Sequence, residues 1–390
     1  MGKNKTKVIP PSLYIHIPFC LKKCAYCDFH SIPFDGPLAS RYVCALSVEA
    51  QRRAGEMGVL GTAGTAAMET AYIGGGTPNS LGIKELETLM GAVHRNFSLR
   101  PGGEFTVEVN PVFGNPDKLK LLFDAGVNRL SIGAQSFSER ELEFMGRPHG
   151  EAEIERTFFD ARQAGFQNIS LDLIYAIPGQ GMESWQHNVE KALSLQPEHL
   201  SLYELTPEEG TPLYSLLERG HAVMPGEEDV LAMQQRAEEM LLKAGYARYE
   251  VSSYSLPAME AAHNLNYWAR GEYLGLGAAA HSFKNSIRWS NVTDPQAYVQ
   301  ALDEGRLPVE RSEPVSPDEA AREFVLLGLR TTRGLDMEDA EGYKLDLGKH
   351  AQPFVEGGLL EISGGRLRPT GKGFALLNRV TAELIEAIGL

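Results

Sequence analysis

Six predicted strands that alternate with amphipathic helices constrain the fold of this chain more than any other feature of its sequence. Each strand is a short apolar or β-branched run, and each following segment repeats its apolar residues with a helical period. The predicted strands are 12–19, 70–77, 104–109, 129–133, 169–175 and 199–205. The predicted helices between them are 38–54, 83–97, 116–125, 152–164 and 182–195. This alternation predicts an α/β fold with a parallel sheet and right-handed crossovers.

Residues suited to chemistry fall at or near the carboxyl ends of these strands. A parallel sheet gathers those ends at one edge or mouth, where active sites form. The residues concerned are a loop of three cysteines after the first strand, Gly74-Gly75-Gly76-Thr77-Pro78 after the second, Glu108 at the end of the third, Gln135 after the fourth and Asp172 within the fifth. We therefore expect these segments to meet in one site.

Cys20, Cys24 and Cys27 form a C-x3-C-x2-C motif in that first loop. Three thiolates this close together can bind one iron–sulfur cluster, and a [4Fe–4S] cluster normally has four cysteine ligands. Because the loop supplies three, one iron would stay open to a ligand other than protein. An open iron beside a glycine-rich strand end indicates catalysis or substrate binding more than electron storage.

Other interpretations of the cysteines remain open from the residues alone. The remaining cysteine, Cys44, lies in a helical pattern and is predicted to be a small buried apolar residue. It could also be the fourth ligand, although ferredoxin loops space their cysteines differently. A zinc site would take His16 or His30 as its fourth ligand, but structural zinc sites usually combine two separated pairs of ligands. A disulfide would leave one of the three loop cysteines unpaired.

The charge of the chain argues against nucleic acid as a partner. Its 390 residues carry 37 Lys and Arg against 51 Asp and Glu, a net charge of −14, whereas phosphate binding needs clustered basic residues. No apolar run of about 18 residues predicts a membrane-spanning helix, and peripheral contact with a membrane stays open. The basic N-terminus is followed by Val8-Ile9-Pro10-Pro11 rather than by an apolar segment. We therefore predict no signal peptide and a cytoplasmic location.

The sequence after Thr206 predicts an extension and a separate C-terminal unit. We place the region of alternating strands and helices in 1–215, the extension in 216–305 and the C-terminal unit in 306–390. Within the extension, the apolar pattern predicts a helix over 226–244 and a strand over 248–254. Its most distinctive segment is His263-Asn264-Leu265-Asn266-Tyr267-Trp268, which is followed by a run rich in glycine and alanine.

The C-terminal unit carries clear local signals but no signal for catalysis. Ser316 begins a helix as its N-cap, with Pro317 at the first helical position and Glu319 three residues after the cap. Gly364-Gly365 predicts the turn of a short hairpin, and a helix follows it. This pattern predicts a small winged-helix-like domain.

Several motifs together resemble a known family. The cysteine motif, with Tyr26 before its third cysteine, and the Gly-Gly-Gly-Thr-Pro segment resemble the radical S-adenosylmethionine (SAM) superfamily. His16-Ile17-Pro18-Phe19-Cys20 resembles the group of oxygen-independent coproporphyrinogen III oxidases. Cys27-Asp28-Phe29, with His263-Asn264-x-x-Tyr267-Trp268, resembles the HemW haem chaperones within that group. The resemblance runs from about Ser12 into the C-terminal unit and implies a partial (β/α)6 radical-SAM barrel.

The resemblance implies a [4Fe–4S] cluster and SAM as cofactors, with the open iron binding the amino and carboxylate groups of SAM. The residues that stand where the oxidase relatives contact SAM are Tyr14, Gly75, Gly76, Thr77, Glu108, Gln135, Arg147 and Asp172. The two glycines would let the backbone approach the methionine end of SAM. Simpler explanations exist for others: Arg147 could pair with Glu143, four residues earlier, and His16 could be an ordinary core histidine.

One position separates a chaperone from an oxidase. The oxidases carry a fourth cysteine two residues after the third, where this chain has Phe29, and they have a longer N-terminal arm. Both differences favour haem binding and delivery. His263 is the candidate axial ligand, Tyr267 and Trp268 offer an apolar surface for the macrocycle, and His281 is a second candidate. Alternatively, His263 caps a turn while the aromatic side chains pack against a domain interface.

The sequence thus predicts a protein that binds a [4Fe–4S] cluster, SAM and haem and hands haem to an apo-haem protein. Its further partners would be an electron donor for the cluster and a second copy of the chain in a homodimer. Two alternatives remain. One is a SAM-dependent coproporphyrinogen III oxidase, and the other is a structural iron–sulfur protein that does not turn SAM over.

Overall fold

The structure is a computed structural model that describes residues 11–57 and 66–390. Its strands are β1 (Ser12–Ile17), β2 (Phe19–Cys20), β3 (Ile32–Pro33), β4 (Ala66–Gly75), β5 (Phe97–Val109), β6 (Arg129–Gln135), β7 (Ile169–Tyr175), β8 (His199–Glu204), β9 (Ala247–Arg248), β10 (Ser253–Ser255), β11 (Tyr273–Leu276), β12 (His281–Lys284), β13 (Ile287–Asn291), β14 (Val309–Pro314), β15 (Leu335–Asp336), β16 (Leu360–Ser363) and β17 (Arg366–Pro369). Its α-helices are α1 (Gly36–Met57), α2 (Ile83–Asn96), α3 (Pro116–Asp124), α4 (Glu139–Phe144), α5 (Glu151–Ala164), α6 (Met182–Ser194), α7 (Pro212–Glu218), α8 (Glu227–Lys243), α9 (Ala262–Trp268), α10 (Pro295–Asp303), α11 (Pro317–Gly328), α12 (Met337–Gly342), α13 (Leu347–Glu356), α14 (Gly371–Ala375) and α15 (Leu377–Ala387).

Six parallel strands form the wall of a partial barrel. They lie side by side in the order β1-β4-β5-β6-β7-β8, and α1, α2, α3, α5 and α6 lie in the connections between them. The predicted α/β fold with a partial (β/α)6 barrel is therefore confirmed. β5 begins at Phe97 rather than at the predicted residue 104, because Phe97, Ser98 and Leu99 already pair with β4. The strand runs through Pro101-Gly102-Gly103, although this segment is typical of a turn and so does not indicate a strand from sequence alone.

Alternate residues of the barrel strands divide between an apolar layer and a polar interior. Side chains on a strand point to opposite faces in turn. On β7, Leu171 and Leu173 belong to the main apolar core. Asp172 between them lines a cavity at the carboxyl ends of the barrel strands. β5 repeats this arrangement around Glu108. The apolar core thus lies between the sheet and its outer helices, and the barrel interior is left for polar side chains.

The sheet continues beyond the barrel on both sides. β11 pairs in parallel with β1, and β12, β13 and β14 follow in antiparallel order. On the other side, β10 and β9 extend the sheet beyond β8. The predicted single strand over 248–254 is wrong, since β9 and β10 are two short strands that pair antiparallel with each other. The chain bends between them because Glu250 bridges to Thr331 and the Val251 amide donates to the Arg330 carbonyl.

The C-terminal unit has an apolar core of its own, built from α11 to α15 and a small sheet in the order β15-β17-β16. The predicted helix start is confirmed: the Ser316 hydroxyl accepts from the Glu319 amide at 3.2 Å, and the Glu319 carboxylate accepts from the Ser316 amide at 2.8 Å. Gly364 and Gly365, with φ of 58° and 75°, turn β16 into β17 as predicted. The large sheet ends at Pro314, past the boundary placed at residue 305, and the domain limits remain predictions.

The prediction that Cys44 is buried is wrong. The core-facing positions of α1 include Tyr42, Leu46 and Glu49, which are fully buried. Cys44 lies between them on the exposed face of the helix, together with Arg41. Its position in the helical turn, and not its residue type, decides its exposure. Within residues 11–57 and 66–390, no helix has both the length and the apolar character needed to cross a bilayer.

Candidate cofactor site at the mouth of the barrel

The cysteine loop follows β1 and is held from several directions. β2 pairs in parallel with β3, which closes the segment between Cys20 and Ile32 into a loop. Within this loop the Ala25 amide donates to the Met145 carbonyl at 3.1 Å, and the Leu213 amide donates to the Ala25 carbonyl at 2.8 Å. The backbone that carries the three thiols is thus anchored to parts of the barrel that are distant in sequence.

A cavity of about 510 Å³ lies at the carboxyl ends of the barrel strands, and we call it the cluster cavity. Ten of the twelve cofactor and metal ligands expected from the sequence line it: Cys20, Cys24, Cys27, Gly75, Gly76, Thr77, Glu108, Gln135, Arg147 and Asp172. Tyr14 lies in an adjoining cavity, and His263 lines neither. In the described chain, no three Cys, His, Asp or Glu side chains are grouped to hold a single metal ion. The volume lies in the range of cofactor sites, and its thiol wall suits a multi-iron cluster with a small molecule beside it.

Glu108 stands at the carboxyl end of β5 with its carboxylate in the cluster cavity. It accepts a hydrogen bond from the Tyr72 hydroxyl at 2.7 Å and another from the Gly75 amide at 3.1 Å. Burial raises the pKa of Glu108 to about 7, and the nearby negative charge of Asp172 adds to the rise. A carboxylate here can accept further hydrogen bonds from an ammonium group or from the hydroxyl groups of a ligand.

Asp172 faces the same cavity from β7 and belongs to a network of polar side chains. It accepts hydrogen bonds from the hydroxyls of Ser131 at 2.8 Å and Ser170 at 3.3 Å. The Ser170 hydroxyl also lies 2.7 Å from Nδ1 of His199. Burial raises the pKa of the Asp172 carboxyl, while the hydroxyl donors and the positive charge of Arg129 oppose that rise. The hydrogen bonds from Ser131 and Ser170 hold the Asp172 carboxylate in a fixed orientation.

Arg147 follows α4 and lies against the cysteine loop. Its Nη1 donates to Sγ of Cys24 at 3.5 Å, and its Nη2 donates to the Gly133 carbonyl at 3.0 Å. Its Nε is buried and has no hydrogen-bond partner among the described residues. Arg147 therefore pairs with the cysteine loop rather than with Glu143. The Arg147 guanidinium thus places a positive charge beside the cysteine loop.

Thr77, which follows β4, and Gln135, the last residue of β6, also line the cluster cavity. The Thr77 hydroxyl donates to Sγ of Cys20 at 3.6 Å. Gln135 ends β6 with a φ of 65°, where the pairing with β7 shifts its register after Ile132. A left-handed backbone is uncommon for a residue other than glycine and is often found at functional sites.

The glycines at 74–76 are required by the packing of the protein itself. A Cβ on Gly75 would lie 2.5 Å from the His16 ring, and one on Gly76 would lie 2.8 Å from the Phe19 carbonyl oxygen. Gly75 also has a φ of 109°, which other residues adopt only at a cost in free energy. The sequence suggests that glycine lets the backbone approach SAM. The structure adds a second reason, because the neighbouring side chain and backbone leave no room for a Cβ at Gly75 or Gly76.

We expect Gly75→Ala to lower the free energy of unfolding by about 2–4 kcal/mol, because the new Cβ meets both a strained φ and the His16 ring. Gly102→Ala is the matched control, since Gly102 has a φ of 73° but open space around a Cβ, and its cost should be about 1 kcal/mol. Urea denaturation of both variants measures the difference. Equal losses would show that the contact with His16 contributes nothing.

Tyr14 and His16 lie on β1 beneath the cysteine loop. Nε2 of His16 lies 2.9 Å from the His30 carbonyl oxygen, and Nδ1 lies 2.9 Å from the Tyr14 hydroxyl. Because a carbonyl can only accept, Nε2 carries the proton and Nδ1 accepts from Tyr14. Both ring nitrogens are occupied, so His16 acts as a core histidine that fixes the end of the cysteine loop.

His263 is buried, and both of its ring nitrogens are occupied. Nδ1 lies 2.7 Å from the Thr70 hydroxyl, whose own proton goes to Ser12 at 2.8 Å. Nδ1 therefore donates to Thr70, and Nε2 accepts from the Tyr267 hydroxyl at 3.0 Å. The ring also stacks on Tyr72 with a centroid distance of 5.0 Å. To bind haem iron, His263 would have to lose the hydrogen bond from Tyr267 and turn out of the core.

Two residues of the cluster cavity that sequence reasoning missed are tyrosines. Tyr72 on β4 holds the Glu108 carboxylate, and Tyr203 on β8 lines the same cavity. The alternation of side chains along a strand is the signal that could have found them. Tyr72 shares its face with Gly74, and Tyr203 shares its face with Ser201, which donates to Asp172.

Comparison with known proteins agrees with this geometry. Residues 14–192 match the radical SAM superfamily, and residues 315–376 match the HemN C-terminal domain. The chain is 36% identical over 377 residues to a Bacillus subtilis protein named heme chaperone HemW, covering 95% of this chain and 97% of that protein. An Escherichia coli protein of the same name is 36% identical over 300 residues, covering 75% of this chain and 77% of its own length.

The solved structure of E. coli HemN, described as a coproporphyrinogen III oxidase and radical SAM enzyme, superimposes with a TM-score of 0.82 at 26% identity, covering 96% of this chain and 90% of that one. The partial barrel and its three-cysteine loop define the class as radical SAM proteins. Within that class, the chain belongs to the HemW family.

Proposed function

We propose that this protein binds a [4Fe–4S] cluster, SAM and haem, and delivers haem to an apo-haem protein. One observation carries this function: the three loop thiols, the carboxylates of Glu108 and Asp172 and the Arg147 guanidinium line a single cavity. The full-length relatives of the chain are named heme chaperones. Phe29, which replaces the fourth cysteine of the oxidase motif, lies on the rim of that cavity.

Each side chain has a distinct task. Cys20, Cys24 and Cys27 hold three irons, and the cluster supplies a fourth iron for SAM and one-electron chemistry when it is bound. Glu108 accepts hydrogen bonds from the ammonium or ribose hydroxyl groups of SAM. Arg147, which already contacts Cys24, offsets the negative charge of the thiolates.

The partners of this function are an apo-haem protein that receives haem, an electron donor for the cluster and a second copy of the chain. A protein with an oxygen-sensitive cluster needs a reducing compartment, so we place it in the cytosol.

A second candidate is oxygen-independent decarboxylation of coproporphyrinogen III. The overlap with the E. coli oxidase structure over 96% of this chain favours it. The presence of Phe29 at the position of the fourth oxidase cysteine opposes it.

One anaerobic preparation tests both candidates. We expect iron and labile sulfide to match one [4Fe–4S] cluster, calorimetry to detect SAM binding, and added haem to bind stoichiometrically. With coproporphyrinogen III, SAM and a reductant, we expect no vinyl product. Vinyl product without haem binding would establish the oxidase instead. A loaded cluster with no SAM binding would support a structural iron–sulfur protein.

A further inference from the structure

A buried carboxylate lies close to the cluster cavity without lining it. Glu141 belongs to α4, and only 5% of its surface is exposed. Its carboxylate accepts hydrogen bonds from four neutral side chains: the hydroxyls of Ser136 at 2.6 Å and Ser184 at 2.5 Å, and the amide groups of Gln180 at 3.0 Å and Asn188 at 2.8 Å. Because Glu141 does not line the cluster cavity, it can act on a ligand there only through its neighbours.

The four donors come from three separate segments of the barrel. Ser136 follows β6, Gln180 follows β7, and Ser184 and Asn188 lie on α6. A carboxylate loses its hydration when it is buried, and it is tolerated there only when it is well hydrogen-bonded. A buried polar network in which every member is bonded holds its parts in one arrangement. Glu141 therefore ties α4 to α6 and to the ends of two strands.

The first segment that this network holds is the turn after β6, which places Gln135 in the cluster cavity. Gln135 has a φ of 65°, and a strained backbone of this kind persists only where its surroundings fix it. The next two residues are fixed from the side of α6. The Ser136 hydroxyl donates to Glu141, and the Phe137 amide donates to Oδ1 of Asn188 at 2.8 Å.

The second segment is the end of α4, which leads to Arg147. The Leu142 carbonyl accepts from the Arg147 amide at 2.8 Å, and the Met145 carbonyl accepts from the Ala25 amide of the cysteine loop at 3.1 Å. Both carbonyls lie within four residues of Glu141. The side chain that fixes α4 thus also fixes the backbone before Arg147 and one anchor of the cysteine loop.

We infer that Glu141 is a positioning residue of the SAM site, which holds Gln135 and Arg147 in the cluster cavity through its hydrogen bonds. This rests on the proposed function, because it presumes that SAM binds in that cavity. Filling the space at Glu141 is not sufficient, since the segments are held by hydrogen bonds that need an acceptor.

The test is a calorimetric titration of the full-length, cluster-loaded protein with SAM. Glu141→Leu, which fills the space but accepts no hydrogen bond, should weaken SAM binding by about tenfold. Glu141→Gln should stay within about threefold of the wild type, because its carbonyl oxygen can replace Oε2, which accepts three of the four hydrogen bonds. Glu139→Leu is the control, since Glu139 is exposed on the same helix, and it should bind SAM as the wild type does.

A second comparison separates positioning from general support of the fold. In protein that already carries Gln135→Ala and Arg147→Ala, Glu141→Leu should weaken SAM binding by no more than about twofold, because the residues through which it acts are gone. An equal loss in both backgrounds would mean that Glu141 supports the whole barrel, and the inference would fall. Wild-type affinity in Glu141→Leu, or the same loss in Glu141→Gln as in Glu141→Leu, would also overturn it.

The outcomes distinguish this inference from the function on which it rests. No SAM binding by the cluster-loaded wild type would overturn both, whereas wild-type binding that Glu141→Leu leaves unchanged would overturn the positioning role alone. If Glu141→Leu does not fold, Ser136→Ala decides, because it removes only the hydroxyl that joins Glu141 to the turn after β6. We expect its SAM affinity to fall by about threefold, and an unchanged affinity would contradict the inference.

Discussion

Alanine at Cys20, Cys24 or Cys27 is expected to remove the iron–sulfur cluster, whereas alanine at Cys44 is expected to leave it intact. With three thiol ligands, the loss of one leaves two, and we expect iron and labile sulfide to fall by roughly tenfold or more. Cys44 is the matched control because it is also a free cysteine, but it lies on the exposed face of α1. It does not line the cluster cavity.

The measurement is iron and sulfide content after anaerobic reconstitution, together with the visible absorption of the cluster. Circular dichroism would confirm that each variant retains its fold. A full cluster in all three loop variants would exclude the loop as its binding site. Loss of the cluster in Cys44→Ala alone would make Cys44 a ligand.

Glu108→Gln is expected to weaken SAM binding by about 10- to 100-fold, which corresponds to the loss of one hydrogen bond to a charged group. The carboxylate is held by the Tyr72 hydroxyl and the Gly75 amide at the edge of the cluster cavity. Glutamine keeps the shape but not the charge, so an ammonium group loses its anionic partner. Glu87→Gln, on the exposed surface of α2, is the control and should bind SAM as the wild type does.

Calorimetry on cluster-loaded protein measures both affinities. An unchanged dissociation constant in Glu108→Gln would exclude the carboxylate as a SAM contact.

The same carboxylate predicts a pH dependence. Because burial raises the pKa of Glu108 to about 7, SAM affinity of the wild type should rise as pH increases through 7 and the carboxylate becomes anionic. The effect on stability has the opposite sign. A carboxyl whose pKa is higher in the folded state than its ordinary 4.5 contributes stability below that value, and the contribution is lost as pH rises through 7.

In cluster-free protein, the wild type should therefore lose stability relative to Glu108→Gln between about pH 5 and pH 8. Urea midpoints for both proteins across this range test the sign. Parallel curves would mean that Glu108 titrates near its ordinary pKa.

The meeting of distant segments at one cavity could be predicted because it follows from local signals. Strand–helix alternation implies a parallel sheet, and a parallel sheet brings the carboxyl ends of its strands together. That rule was enough to place Glu108, Gln135 and Asp172 beside the cysteine loop. The alternation of side chains along each strand places Tyr72 and Tyr203 on the same inward face.

Other features could not be read from residue type or spacing. The burial of a helical residue depends on which face the helix presents to the sheet, and so Cys44 is exposed although its type is usually buried. The strand predicted over 248–254 is broken because its middle bonds to the C-terminal unit. Contacts between remote segments overrode the local pattern at that point.

By itself, the sequence determined that the chain forms a parallel α/β sheet with three thiols and a glycine segment at the carboxyl ends of its strands, because periodicity and motif spacing are local properties. The barrel was implied by the family resemblance. Among residues 11–57 and 66–390, only the tertiary structure decided which histidine rings have hydrogen-bond partners. His16 bonds to Tyr14 and to the His30 carbonyl in the cysteine loop, and His263 bonds to Thr70 on β4 and to Tyr267 on α9. His30 and His281, which are distant in sequence, line one cavity. A ring nitrogen is available for binding only where the fold brings it no other partner, and that depends on contacts that no spacing in the sequence encodes.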